Sequence, residues 1–185
     1  VAKNIILIIS FLSIIINFSQ KFSSFNFINK KEDIYLFAKE LNIINKDLEL
    51  SIATTESGLI PYYSKINTID LFGLSTKEFA KKPADGFFLI KNNFDIIIIN
   101  SSITGDSCNT LKDALDESKN LNVKVANRSD NWSDFAFKLL YGVDIEKYDS
   151  YFFPYPKNIF INKNSNAHKQ ISNLLKNTNA LKCNF

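Results

Sequence analysis

The chain has 185 residues, 45% of them apolar and 22% charged, which is material for one sizeable core and not comfortably for two. Its net charge of +3 comes from scattered lysines, and a single arginine, Arg128, is able to make a bidentate phosphate or base contact, so no nucleic-acid partner is expected. One histidine, His168, and two cysteines outside any C-x-x-C spacing argue against a metal or redox site, and nothing calls for a cofactor.

Cys108 and Cys183 leave two readings open: one disulfide in an oxidising compartment, or two plain thiols with Cys183 in a frayed tail. The bias toward Ile, Asn, Lys and Phe is what AT-rich coding produces. The Asn-x-Ser matches at Asn100, Asn127 and Asn131 therefore carry no weight. The chain holds no Met and opens Val1-Ala2-Lys3, which reads as a fragment of a longer protein or as a start codon written as Val.

Taken in chain order, residues Ile5 to Phe18 are apolar on every side, with Lys3 before and Lys21 after. With its flanks, 1–22, this run would rise about 33 Å as a helix, enough to cross a bilayer core with the lysines snorkelling at both ends. A cleaved signal peptide is the rival reading, opposed by Ser19-Gln20-Lys21-Phe22, which offers no small-x-small pair. Ser10 and Ser13 suit a span packed against neighbouring helices. Lys21, Lys30 and Lys31 after the span, against Lys3 before it, would by the positive-inside tendency keep the following domain in the cytoplasm.

A polar linker, 23–31, leads into a domain expected over 32–185. Glu32 to Ile44 carries Ile34, Phe37, Leu41 and Ile44 on a helical period. Strands are expected at Leu48–Thr54, at Thr68–Phe72 and at Asp95–Asn100, the last an apolar run fit for a central strand buried on both faces. Thr76–Lys82 reads as a short helix stopped by Pro83, Thr110–Leu121 and Ser133–Tyr141 as further helices. Asn158–Asn162 reads as the last strand and Ala167–Lys176 as the closing helix. The alternation predicts one α/β domain, a small parallel or mixed sheet flanked by helices in two or three layers, preceded by one N-terminal transmembrane helix.

The densest information lies between Ile52 and Leu74. A strand ending at Gly58 would lead into a turn stiffened by Pro61 that presents Tyr62 and Tyr63; a second strand would end at Asp70, with Gly73 allowing a sharp exit into a helix capped by Ser75. The carboxyl ends of parallel strands are where α/β folds place ligand sites, so the two turns are expected side by side as the functional edge. Gly58→Ala is expected to strain its turn if φ there is positive, and Asp70→Asn to spare the fold.

The run Gly58-Leu-Ile-Pro-Tyr-Tyr-Ser64, followed by Ile69-Asp-Leu-Phe-Gly-Leu74, is similar to one in the C-terminal soluble domains of bacterial polytopic membrane glycosyltransferases of the GT-C type, including arabinofuranosyltransferase-like proteins. Asp130-Asn131-Trp132, Tyr141-Gly142 and Asn158-Ile159-Phe160-Ile161 resemble the tail of the same domain, while Ser75-Thr76-Lys77 departs from the pattern. The resemblance implies an extracytoplasmic domain on the bacterial inner membrane, behind a transmembrane bundle of the same protein that transfers sugar from a lipid-linked donor. The catalytic carboxylate of such enzymes belongs to an early loop absent here, so no catalytic residue is assigned.

Each candidate has a plainer reading. Tyr62 and Tyr63 suit a sugar ring or packing on a neighbouring helix. Asp70 suits a hydroxyl, or more simply the amides of Gly73 and Leu74. Trp132 is a sugar platform or a core anchor, and His168 is most simply solvated. The expected substrate-binding set is Tyr62, Tyr63, Asp70 and Ser75, with Gly58, Pro61 and Gly73 shaping the turns. Three functions compete: an accessory domain touching glycan or acceptor, an interaction module packing on its own membrane bundle or a partner subunit, and an anchored hydrolase using Glu56 and Asp70.

Overall fold

A computed structural model describes residues 33–56, 58–82, 84–100, 107–120, 135, 138–153 and 157–185. The expected span 1–22, the linker 23–31, Pro83 and Trp132 lie outside the described residues. Among the described residues no helix is long and apolar enough to cross a membrane.

Six strands form one mixed sheet: β1 (Ile52–Thr54), β2 (Thr68–Asp70), β3 (Ile96–Asn100), β4 (Tyr148–Phe153), β5 (Lys157–Asn162) and β6 (Leu181–Cys183), in the order β2-β1-β3-β5-β4-β6. β1 pairs in parallel with both β2 and β3, and the remaining three pairings are antiparallel. Among the described residues α1 (33–48), α2 (Leu59–Ser64), α3 (Gly86–Lys91), α4 (Cys108–Asn120) and α5 (His168–Asn177) cover it, with a further helical stretch at 138–140.

The alternation of strand side chains separates two cores. On one face Ile52, Ile96, Ile98, Ile159 and Ile161 meet Ile34, Phe37 and Leu41 of α1, Ile60 of α2 and Ile171 and Leu175 of α5. On the other, Ala53, Ile97, Ile99 and Phe160 meet Leu89 of α3, Leu111 and Leu115 of α4 and Leu139 and Leu140 of the helical stretch 138–140. The domain therefore has three layers. β3, with Ile96 to Ile99 fully buried, is the central strand its composition predicts.

Helix α1 uses the i, i+3, i+7 spacing of Ile34, Phe37 and Leu41 and ends where Glu49 turns left-handed at φ +48°. The Asn45 side chain accepts the Leu50 amide there at 2.7 Å. The expected strand at Leu48–Thr54 is thus shorter at its start, because α1 runs on through residue 48. Thr76–Lys82 is not an α-helix but a single 3-10 turn, Lys77–Phe79.

Asn158–Asn162 is not the last strand: β6 follows α5 and pairs with β4 at the sheet's edge. Cys183 in β6 is bonded to Cys108 at the start of α4, with Cα atoms 5.3 Å apart. The tail is therefore a cross-linked edge strand. β4 has no counterpart among the expected strands, because Asp149 and Ser150 interrupt its apolar pattern. Ser150 faces inward, and Asp149 holds His168 and Lys182, each at 2.9 Å from its Oδ2.

Candidate functional site

The three parallel strands deliver their carboxyl ends to one edge. Thr54 is level with Asp70 of β2 and with Ile98 of β3, and the Leu71 amide donates to the Thr54 carbonyl at 2.8 Å. The ends of the two strands that lead into the segments singled out in the sequence therefore lie side by side. β1 has β2 on one side and β3 on the other, and the carboxyl ends of such parallel strands are where α/β sheets commonly hold ligands.

The exit from β1 is tightened by its own threonines. Thr54 Oγ1 accepts the Glu56 amide at 2.9 Å, and Thr55 Oγ1 accepts the Asn100 amide at 2.9 Å. Glu56 then points its Oε2 to Lys157 Nζ, 2.9 Å away, with side-chain exposures of 18% and 4%. Lys157 opens β5 directly across from Asn100. Sequence reasoning missed this lysine. Its only signal is a cation at the head of an apolar strand, which gains meaning once β5 lies two strands from Glu56.

Gly58 does not occupy the left-handed region: its φ is −97°, so the expected strain at this position is absent. A Cβ there would meet the side-chain Glu56 Oε1 at 3.3 Å and no backbone atom closer. The chain beyond Gly58 forms a helix rather than a turn. Pro61 sits in the first turn of α2, where its missing N–H leaves no hydrogen bond unmade. Ile60 and Ser64 are buried, Tyr63 sets its ring edge-to-face against Tyr35 of α1 at 4.6 Å, and Tyr62 is 65% exposed. The pair thus divides: Tyr63 packs on the neighbouring helix, and Tyr62 stands exposed with its ring against that of Tyr63.

The second exit is built around Asp70, which is 1% exposed. Its carboxylate accepts from the Phe72 amide at 3.0 Å, the Ser75 amide at 2.8 Å and the Ser75 hydroxyl at 3.2 Å. Its own amide donates to Thr76 Oγ1 at 2.8 Å. The capping reading holds with different amides, those of Phe72 and Ser75. Ser75 caps no helix; it is the far end of this clasp, and Thr76 precedes the 3-10 turn. An Asp70 so engaged fastens the loop, so Asp70→Asn is expected to loosen the fold rather than spare it. Gly73 is the residue that needs its missing side chain, with φ +82° and Phe79 O only 2.2 Å from where a Cβ would stand.

Glu56 is committed to Lys157 and Asp70 to its own loop, so neither carboxylate is set up as a free acid or base. Among the described residues no cluster of His, Cys, Asp and Glu is arranged to hold a metal ion. Away from the edge, Asp149 gathers the other charges. Burial pushes its carboxyl up, but the hydrogen bonds from Lys182 and His168, joined by their charge, outweigh that and hold it below the usual aspartate range. His168 is hydrogen-bonded to Asp149 while 28% of its side chain remains exposed.

Fold and edge together define a three-layer α/β domain in which the described exits of β1 and β2 are polar and clasped by side-chain hydrogen bonds. Residues 34–152 match the family described as Domain of unknown function (DUF8728), and the chain belongs to that family. The match ends in β4, so Lys157, α5 and β6 lie beyond it. No curated protein and no solved structure matches the chain.

Proposed function

We propose that the chain is a non-catalytic accessory domain of a bacterial membrane glycosyltransferase, held outside the cytoplasm and contacting glycan or acceptor through the exit edge of β1 and β2. The observation that carries this reading is the division of labour between that edge and the helix α2 that leaves it. Both acids are consumed by the fold, while the Tyr62 ring, amphipathic and 65% exposed, is open to stacking on a sugar. The Cys108–Cys183 bond adds support for an extracytoplasmic setting, since disulfides persist chiefly in oxidising compartments. Together with the likeness of Gly58–Ser64 and Ile69–Leu74 to the glycosyltransferase domains, these features favour binding over chemistry.

The test is titration of the full chain, in detergent or nanodiscs, with pentose and hexose oligosaccharides. Saturable binding that falls about tenfold or more in Tyr62→Ala supports the reading. Equal binding by the two forms, or none by either, refutes it.

A second reading has its own observation. Leu74, Phe87 and Ile90 are 79%, 53% and 56% exposed, and Phe87 and Ile90 lie one turn apart on α3. Apolar groups left in water favour a module that packs on a protein partner, and crosslinking from position 87 to a membrane subunit would mark that role.

A further inference from the structure

Three tyrosines form a chain of perpendicular rings on the outer surface of α1 and α2. Tyr62 meets Tyr63 at 4.8 Å and 88°, and Tyr63 meets Tyr35 at 4.6 Å and 90°. Each outer ring carries a lysine over its face: Lys65 Nζ lies 4.6 Å from the Tyr62 centroid and Lys39 Nζ 5.0 Å from that of Tyr35. Exposed cation–π contacts of this kind are worth only about 0.5–1 kcal/mol, so the lysines are readily turned outward. Leu36 and Ile43 of α1 are also exposed, at 46% and 56%. α1 carries Asp33, Glu40 and Asp47 beside Lys39 and Lys46, so with Lys65 the two helices together bear no net charge.

Tyrosine and lysine together are the side chains that suit a bilayer interface. Each pairs an apolar body with a polar tip, and each lets the tip stay in the headgroup layer while the body enters it. The position of the cluster along the chain matters as much as its composition. Tyr35 lies near the start of the described part of α1, and only ten residues, 23–32, separate that part from Phe22 at the end of the apolar segment. Even fully extended, ten residues reach no more than about 36 Å. A tether this short gives an effective concentration in the millimolar range, enough to populate a contact too weak to form between free partners.

We infer that the Tyr35–Tyr63–Tyr62 cluster, flanked by Lys39 and Lys65, is a membrane-docking face that lays α1 and α2 on the headgroup layer of the bilayer from which the chain emerges. The inference rests on reading residues 1–22 as a membrane span. It deepens the proposed function by placing the exposed ring of Tyr62 at the depth where the sugar of a lipid-linked donor is presented.

The full chain is reconstituted in phosphatidylcholine–phosphatidylglycerol vesicles, with Trp132→Phe to silence the one native tryptophan and Tyr62→Trp as reporter. Flotation with the vesicles is measured first. The emission of Tyr62→Trp is then compared with that of a separate Phe87→Trp reporter, in lipids brominated near the glycerol backbone and in unbrominated ones. Docking predicts that bromolipid reduces the Tyr62→Trp emission about twofold or more and leaves Phe87→Trp unchanged. A chain that floats but shows an unquenched Tyr62→Trp, open to aqueous acrylamide, overturns the docking and leaves the anchor standing. Quenching of Phe87→Trp instead overturns it in favour of the opposite face. A chain that fails to float defeats the anchor and the docking together.

Discussion

Breaking the Cys108–Cys183 bond probes how much of the domain depends on its edge. The bond joins residues 75 apart, and in the chain-entropy account closing a loop of that length removes about 15 cal/mol/K from the unfolded state, or about 4.5 kcal/mol at 25 °C. Beyond the bond, that edge is held by three residues of pairing with β4 and by the Lys182–Asp149 ion pair, with Leu181 and Lys182 exposed. At roughly 2–4 °C per kcal/mol for a domain of this size, Cys108→Ser/Cys183→Ser is expected to melt about 9–18 °C below the native chain. The assay is thermal unfolding followed by circular dichroism, with and without reductant. Reductant should lower the native Tm toward that of the double serine form and leave the latter unchanged. Hydrogen exchange at residues 181–183 should rise before that of β3, because the edge opens locally first. A double serine form melting within about 2 °C of the native chain would show that the loop closure contributes nothing and refute the reasoning.

Removal of one partner of the Glu56–Lys157 pair takes away a 2.9 Å ion pair at a largely buried position. Glu56→Gln is expected to lower urea stability by about 2–3 kcal/mol, toward the lower side for a buried pair because Glu56 keeps some exposure, and Glu56→Gln/Lys157→Met should recover part of it. Gly73→Ala should destabilise by about 2 kcal/mol or more, and Gly58→Ala by less than about 0.5 kcal/mol, because of these two Gly73 alone has a positive φ and backbone at its absent Cβ. Tyr148 is pushed up to about 12 by burial, with Asp95 and Asp144 adding to it. Raised in the folded state, it contributes stability that is whole below its unfolded value near 10 and is lost as pH climbs toward 12; denaturation midpoints for Tyr148→Phe should fall less steeply across that window.

Much of the architecture was legible because it depends on local periodicity. The run Ile96–Ile99 has apolar side chains on both faces, which only a central strand under two helical layers can bury. The 3.6-residue spacing of Ile34, Phe37 and Leu41 names the buried face of α1 without reference to anything else. The adjacency of the two exits followed from parallel pairing, and β1 and β2 do pair in parallel with Thr54 level with Asp70.

What escaped the sequence depends on partners distant along the chain. Tyr148–Phe153 becomes a strand because Asp149 finds His168 and Lys182 while Ser150 is enclosed, and no window around Asp149 contains that information. Whether Gly58 or Gly73 is the strained residue depends on where Phe79 returns, and whether Tyr62 or Tyr63 packs depends on where α1 lies. By itself the sequence determined an α/β domain with a buried central strand and two exits on one edge, since side-chain period alone dictates these. Only the tertiary structure decided that Glu56 answers to Lys157, that Asp70 clasps Ser75, that Cys108 joins Cys183, and that Tyr62 is left exposed. Each of those outcomes is a contact between segments whose separation carries no periodic signal, and it exists only after the layers have closed.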